Sequence, residues 1–153
     1  MKTNKHIFRS LLITAIVFFA TNSFAQDCTF GIFKISVQDT ASSENVKTFL
    51  SAYPEVMKIK EVQVNTPSAV QLEDIKKTEV QGNRIVLHFT YKGAKKWAKF
   101  TEESVDKQIA MVVNNKVYSM PKVNAPIKVG MAMITGLKDG QEALALNKFL
   151  LKE

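Results

Sequence analysis

Five consecutive apolar residues, Ile109 to Val113, are followed at once by Asn114-Asn115 and then by Lys116 to Met120. A strand with apolar residues on both of its faces has no side to offer to water, so it belongs in the middle of a covered sheet. Asparagine tolerates the positive φ that both central residues of a tight two-residue hairpin require, so the chain is expected to turn here and pair with itself. Pro121 cannot donate to a ladder and closes the returning strand or marks an edge. These features predict a strand central in its sheet, paired with its successor through a tight hairpin.

The flanking segments supply its neighbours. Arg84 to Thr90 alternates, with Ile85, Leu87 and Phe89 against Val86, His88 and Thr90, and Thr78 to Gln81 pairs with it through a turn at Gly82-Asn83. Lys92 to Val105 reads as a helix with Ala94, Trp97, Ala98, Thr101 and Val105 on one face and Lys92, Lys95, Lys96 and Lys99 on the other. Val129 to Thr135 is a last strand broken by Gly136, and Gln141 to Leu151 is a closing helix rich in Ala and Leu.

Upstream, Thr29 to Gln38 alternates as a half-buried strand, with Phe33, Ile35 and Val37 on one face. Asp39 to Ser43 offers helix-cap chemistry. Val46, Phe49, Leu50 and Tyr53 recur at i, i+3, i+4 and i+7, which predicts a short helix stopped by Pro54. Met57, Ile59, Val62 and Val64 predict a second strand, giving an N-terminal β-α-β unit over 26–67, joined through Thr66-Pro67-Ser68 to a region over 70–153. This order resembles that of heavy-metal-associated domains, but the loop Asp39 to Ser43 has no thiolate to grip a soft metal. The expected architecture is a single α+β domain, a mostly antiparallel sheet with helices packed on one face.

The first 25 residues are set apart from that domain. Lys2, Lys5 and Arg9 precede an apolar run, Leu11 to Ala20, and Ser23-Phe24-Ala25 ends in small residues, which together predict a secretory signal peptide over 1–25. The run is too short to span a bilayer. The chain of 153 residues carries +7, and three of its basic residues lie in this stretch, so the remainder is only mildly basic and nucleic acid is not the expected partner. Cys28 is the single cysteine, so no internal disulfide forms. Asp27 before it argues against lipidation and for a periplasmic or secreted protein.

Five short motifs in order are Gly93-Ala94-Lys95-Lys96, Asn115-Lys116-Val117, Ser119-Met120-Pro121, Asn124-Ala125-Pro126-Ile127 and Ile134-Thr135-Gly136, with Leu72, Asp74 and Ile75 leading in. Their order and spacing resemble the P1 head of the large periplasmic region of SecD and SecDF, membrane subunits of the protein-export machinery. The family's usual hairpin glycine is replaced by Asn114-Asn115. The resemblance implies a periplasmic domain that holds emerging polypeptides, with the Sec translocon as a candidate partner. The intramembrane ionisable residues that couple such a machine to protons have no counterpart in this chain. The expectation is an exported, non-catalytic P1-head-like domain that binds polypeptides or an envelope protein and is accessory to export. The alternative is an exported interaction or ligand-binding module unrelated to export, since fold does not fix function.

Chemistry is sparse. His88 sits mid-strand with no nucleophile or paired carboxylate beside it, and Glu102, Glu103 and Asp106 read as a solvated helix end. No Gly-rich phosphate loop is present and no cofactor or metal is implied. Two sets of residues are candidates for binding. Met111, Tyr118, Met120, Met131 and Met133 carry adaptable side chains suited to a sequence-diverse polypeptide, although methionines in strands also serve as core filler. Lys92, Lys95, Lys96 and Lys99 form a face for anionic headgroups or a partner, or else simply a soluble helix surface.

Overall fold

The computed structural model describes residues 30–36 and 45–151. The expected signal peptide, Cys28 and the loop Asp39 to Ser43 lie outside the described residues. Among the described residues, nine strands fall into two sheets. The larger runs β3 (Glu61–Asn65), β2 (Val46–Ser51), β8 (Lys116–Ser119), β7 (Ile109–Val113), β1 (Phe30–Lys34) and β4 (Val70–Gln71), and the smaller runs β5 (Ile75–Gln81), β6 (Arg84–Phe89) and β9 (Met131–Ile134). Every strand pair is antiparallel except β2 with β8. Three helices, α1 (Pro54–Met57), α2 (Tyr91–Glu103) and α3 (Gly140–Leu151), complete an α+β fold, as expected.

β7 explains the arrangement. It lies between β8 and β1, and its alternate residues enter two different cores. Ile109, Met111 and Val113 join the main core with Ile32, Ile85, Leu87, Trp97, Phe100, Ile134 and Leu146, while Ala110 and Val112 join a smaller one with Phe33, Phe49, Val62, Val64 and Val117. The run is apolar throughout because neither face meets water. The hairpin after it has φ 46° at Asn114 and 59° at Asn115, the left-handed pair that a tight turn between twisted strands needs.

The helix expected from Val46 to Tyr53 is a strand. Phe49 and Ser51 are buried, while Leu50, which the helical stripe counted as inward, is 56% exposed. As a strand, these apolar residues no longer share a face: Val46 and Leu50 lie on one side and Phe49 on the other. The backbone ladders to β3 on one side and β8 on the other decide for the strand. Pro54 starts α1 rather than stopping a helix, since its missing N–H costs nothing in the first turn. The next strand accordingly begins at Glu61, leaving Met57 in α1 and Ile59 41% exposed ahead of it. The N-terminal segment is therefore strand, strand, short helix and strand.

α2 begins one residue earlier than expected and ends at Glu103. Thr90 caps it, its hydroxyl accepting from the Gly93 N–H at 3.1 Å. Gly93 is required by contact. A Cβ there would stand 2.5 Å from the Asp74 carbonyl oxygen and 2.8 Å from the Asp74 Cβ. Its absence lets the helix lie directly on the Leu72–Asp74 turn, and Asp74, 1% exposed, is covered by it.

Candidate binding groove

A groove of about 720 Å³ opens where the two sheets meet. β9 supplies Met131, Ala132 and Met133, β7 supplies Ile109 and Met111, and the segment Pro121 to Val129 forms the facing wall. Trp97 of α2 contributes to the lining, and its indole N–H, buried, has no hydrogen-bond partner. The volume lies within the range typical of ligand clefts, and the lining is mostly apolar.

The wall is held firmly. The Ile127 N–H donates to the Thr101 hydroxyl at 2.9 Å, and that hydroxyl donates to the Ala98 carbonyl at 3.0 Å, tying the wall to α2. The Val123 N–H donates to the Lys107 carbonyl at 3.0 Å, and Ile109 N–H to the Pro121 carbonyl at 3.1 Å. Gly130, just before β9, passes so close to α2 that a Cβ would meet the Ala94 Cβ at 2.9 Å.

No β6 residue lines the groove, so it lies on the unpaired side of β9. The Phe89 N–H donates to the Gly130 carbonyl at 2.9 Å, which makes that pair, and alternate pairs after it, the hydrogen-bonded ones. The N–H and C=O of Met131 and Met133 therefore turn away from β6 toward the open edge. The Met131 N–H is used locally, donating to the Val129 carbonyl at 2.8 Å. The Met131 carbonyl and both backbone groups of Met133 face the groove side. The charges nearby are positive: Lys122 and Lys128 stand on the rim, Lys122 within 3.1 Å of Asp106, and no carboxylate is in the lining.

Of the five methionine and tyrosine candidates, the fold gathers three. Met131 is 43% exposed, Met133 is partly buried beside it, and Met111 is 2% exposed beneath them. Met120 instead packs against the smaller core, and Tyr118 stands edge-on to Tyr53 with ring centroids 5.8 Å apart. The groove wall from Pro121 to Val129 was not among the candidates. Its signal was its two prolines, Pro121 and Pro126, which withhold backbone donors, so that beyond a single bridge at Lys122 the segment joins no strand ladder.

The four lysines of α2 also divide. Lys92, Lys95 and Lys99 are exposed, and Lys95 lies over the Tyr91 ring at 4.4 Å. Lys96 is drawn inward to the buried Asp74 carboxylate at 2.7 Å. His88 lies on the outer face of the smaller sheet, its Nε2 3.3 Å from Glu79. Glu103 pairs with Lys34 and Asp106 with Lys122, so these two carboxylates are turned to lysines rather than to one another.

The SecDF P1 head subdomain family model matches residues 51–152. The chain belongs to the SecDF P1 head family. The match begins upstream of Leu72, where the motifs begin, and takes in α1 and β3. Relatives include the protein translocase subunit SecD of Acidaminococcus fermentans, 37% identical over 91 residues, covering 58% of this chain and 22% of that protein. SecD of Rhodothermus marinus is 36% identical over 81 residues, 53% of this chain and 12% of that protein. The chain thus spans about a fifth or less of these relatives. Among solved structures, a SecDF described as a membrane component that enhances protein export superposes with a TM-score of 0.61 at 20% identity, covering 82% of this chain and 62% of that one. SecDF in a super-membrane-facing form gives 0.58 at 19% identity, covering 79% and 18%. These likenesses show a shared fold. Among the described residues, no helix is long and apolar enough to cross a membrane. Two of the P1 head motifs, Ser119-Met120-Pro121 and Asn124-Ala125-Pro126-Ile127, border the groove, and the Ile134-Thr135-Gly136 motif ends the strand along it.

Proposed function

We propose that this P1 head domain works outside the cytoplasm as an accessory to protein export, holding extended polypeptide segments in the groove beside β9. The observation that carries this reading is the open edge of β9 facing a methionine-lined cleft. An extended chain supplies the N–H and C=O groups that the Met131 carbonyl and the Met133 backbone lack, and such ladder bonds are indifferent to sequence. Methionine side chains adapt to whatever residues alternate along the occupant. The family relationship supports the export context, because the named relatives are translocase subunits.

The test uses reduced, carboxymethylated α-lactalbumin, a permanently unfolded polypeptide, added to protein labelled at the methionine methyl groups. Binding is expected to shift the Met131, Met133 and Met111 resonances. Folded α-lactalbumin is expected to leave them in place. Shifts confined to residues away from β9 and Pro121 to Val129 would overturn the reading.

A further inference from the structure

A second depression, of about 350 Å³, lies along α2, with Lys34, Lys96, Lys99 and Glu103 in its lining. Three features mark this side of α2. Glu103 bridges two lysines from different elements, at 2.8 Å from Lys34 of β1 and 4.0 Å from Lys99 of α2. Tyr91, 79% exposed, continues the Lys99 and Lys95 stripe one turn further at a four-residue spacing. The floor between the lysines is apolar, with Pro67, Ala69 and Phe100.

We propose that this face of α2 docks on a membrane surface, with an anionic phospholipid headgroup taking the place that the Glu103 carboxylate holds between Lys34 and Lys99. The carboxylate marks where an external oxyanion satisfies both ammonium groups at once. Lys92 and Lys95 add to the attraction, while Lys96 is committed to Asp74 and stays out of it. A lysine-flanked tyrosine and an apolar floor match the headgroup region, where amphipathic side chains keep their polar ends wet and their apolar parts covered. An acidic protein segment would use the lysines but leave Tyr91 and the floor idle. The inference does not depend on the β9 groove.

The experiment is co-sedimentation of the full chain with phosphatidylcholine vesicles, with and without phosphatidylglycerol replacing part of the lipid, at low ionic strength. The quantity read is the phosphatidylglycerol-dependent increment of each variant against that of the parent, so that any contribution of Lys2, Lys5, Arg9 and the apolar run Leu11 to Ala20 is common to all samples. Lys34→Gln and Lys99→Gln are each expected to lower that increment about fivefold, the loss of one lysine close to the surface. Glu103→Gln is expected to raise it, because it removes the internal competitor, and a merely structural role for Glu103 would not give that sign. Tyr91→Ala lowers it without changing net charge. An increment that ignores Lys34 and Lys99, or that falls in Glu103→Gln, overturns the proposal. So does saturable binding of glycerol phosphate or poly-glutamate with no phosphatidylglycerol-dependent sedimentation.

Discussion

The Lys96 ammonium lies 2.7 Å from an Asp74 carboxylate oxygen that is shut away from water beneath α2. The same carboxylate oxygen accepts from the Gln71 N–H at 3.0 Å, and the Asp74 carbonyl accepts from the Thr90 N–H at 2.8 Å. One residue therefore fixes the turn before β5, the start of α2 and the angle between them. Removing the lysine leaves a buried charge without its counterion, which costs more than the pair contributes. Lys96→Gln is expected to lower the unfolding free energy by about 2 kcal/mol, below the full buried-pair figure because the lysine is one-third exposed. Lys92→Gln, on the open face, should stay within about 0.5 kcal/mol of the parent. Urea denaturation of both variants checks the difference, and equal midpoints would show that the pair does not hold the helix.

Gly93→Ala sets two effects against each other. Alanine is the better helix former by about 1 kcal/mol. The added methyl, however, meets the Asp74 backbone and Cβ, which cannot swing aside. Overpacking of this kind costs about 1–3 kcal/mol, so a net destabilisation is expected. A thermal melt that rises in Gly93→Ala would contradict the close packing.

At the hairpin, Asn115→Val is expected to destabilise by about 1–2 kcal/mol, since a β-branched residue resists the φ of 59° there. Asn115→Gly should be tolerated far better, because glycine takes that conformation freely. Denaturant midpoints of the two variants, compared side by side, decide it.

Tyr53 donates to Glu142 of α3, and burial first, then this carboxylate, pushes its phenol well above the ordinary tyrosine range. The folded state holds that proton more tightly than the unfolded chain does. Its stabilising contribution is therefore intact below the ordinary pKa of about 10 and is lost as the pH rises from there toward the raised folded value. Stability is expected to fall above about pH 10, and less steeply in Tyr53→Phe. Tyr118, raised by burial and then by Glu142, shares the trend. Absorbance titration at alkaline pH, alongside denaturation, measures both.

Met131 and Met133 should separate from Met111 in mutagenesis. Met131→Ser and Met133→Ser are expected to weaken binding of unfolded polypeptide several-fold with a stability change under about 1 kcal/mol, since both side chains reach solvent. Met111→Ala should instead cost about 2–4 kcal/mol of stability through the cavity it leaves. Titration calorimetry and denaturation on the same three proteins test the split.

Local pattern was enough for the central strand and its hairpin, because Ile109 to Val113 has no polar face to present and Asn114-Asn115 accepts a backbone few residues do. It was enough for α2, whose apolar stripe lies within a few turns of chain, and for α3, which is rich in Ala and Leu. The motifs around Gly93, Asn124 and Ile134 placed the chain in its family without a structure. Val46 to Tyr53 is the exception: its four apolar residues keep a helical spacing, and pairing with the neighbouring strands β3 and β8 overrides it. What the fold alone decided is what meets across sequence distance. It set Lys34 beside Glu103, put Asp74 under Lys96, and gathered Met111, Met131 and Met133 while sending Met120 to another core. Side-chain period is a property of a few adjacent residues, whereas a groove is made by elements that the sheet order brings together, and no local pattern records that order.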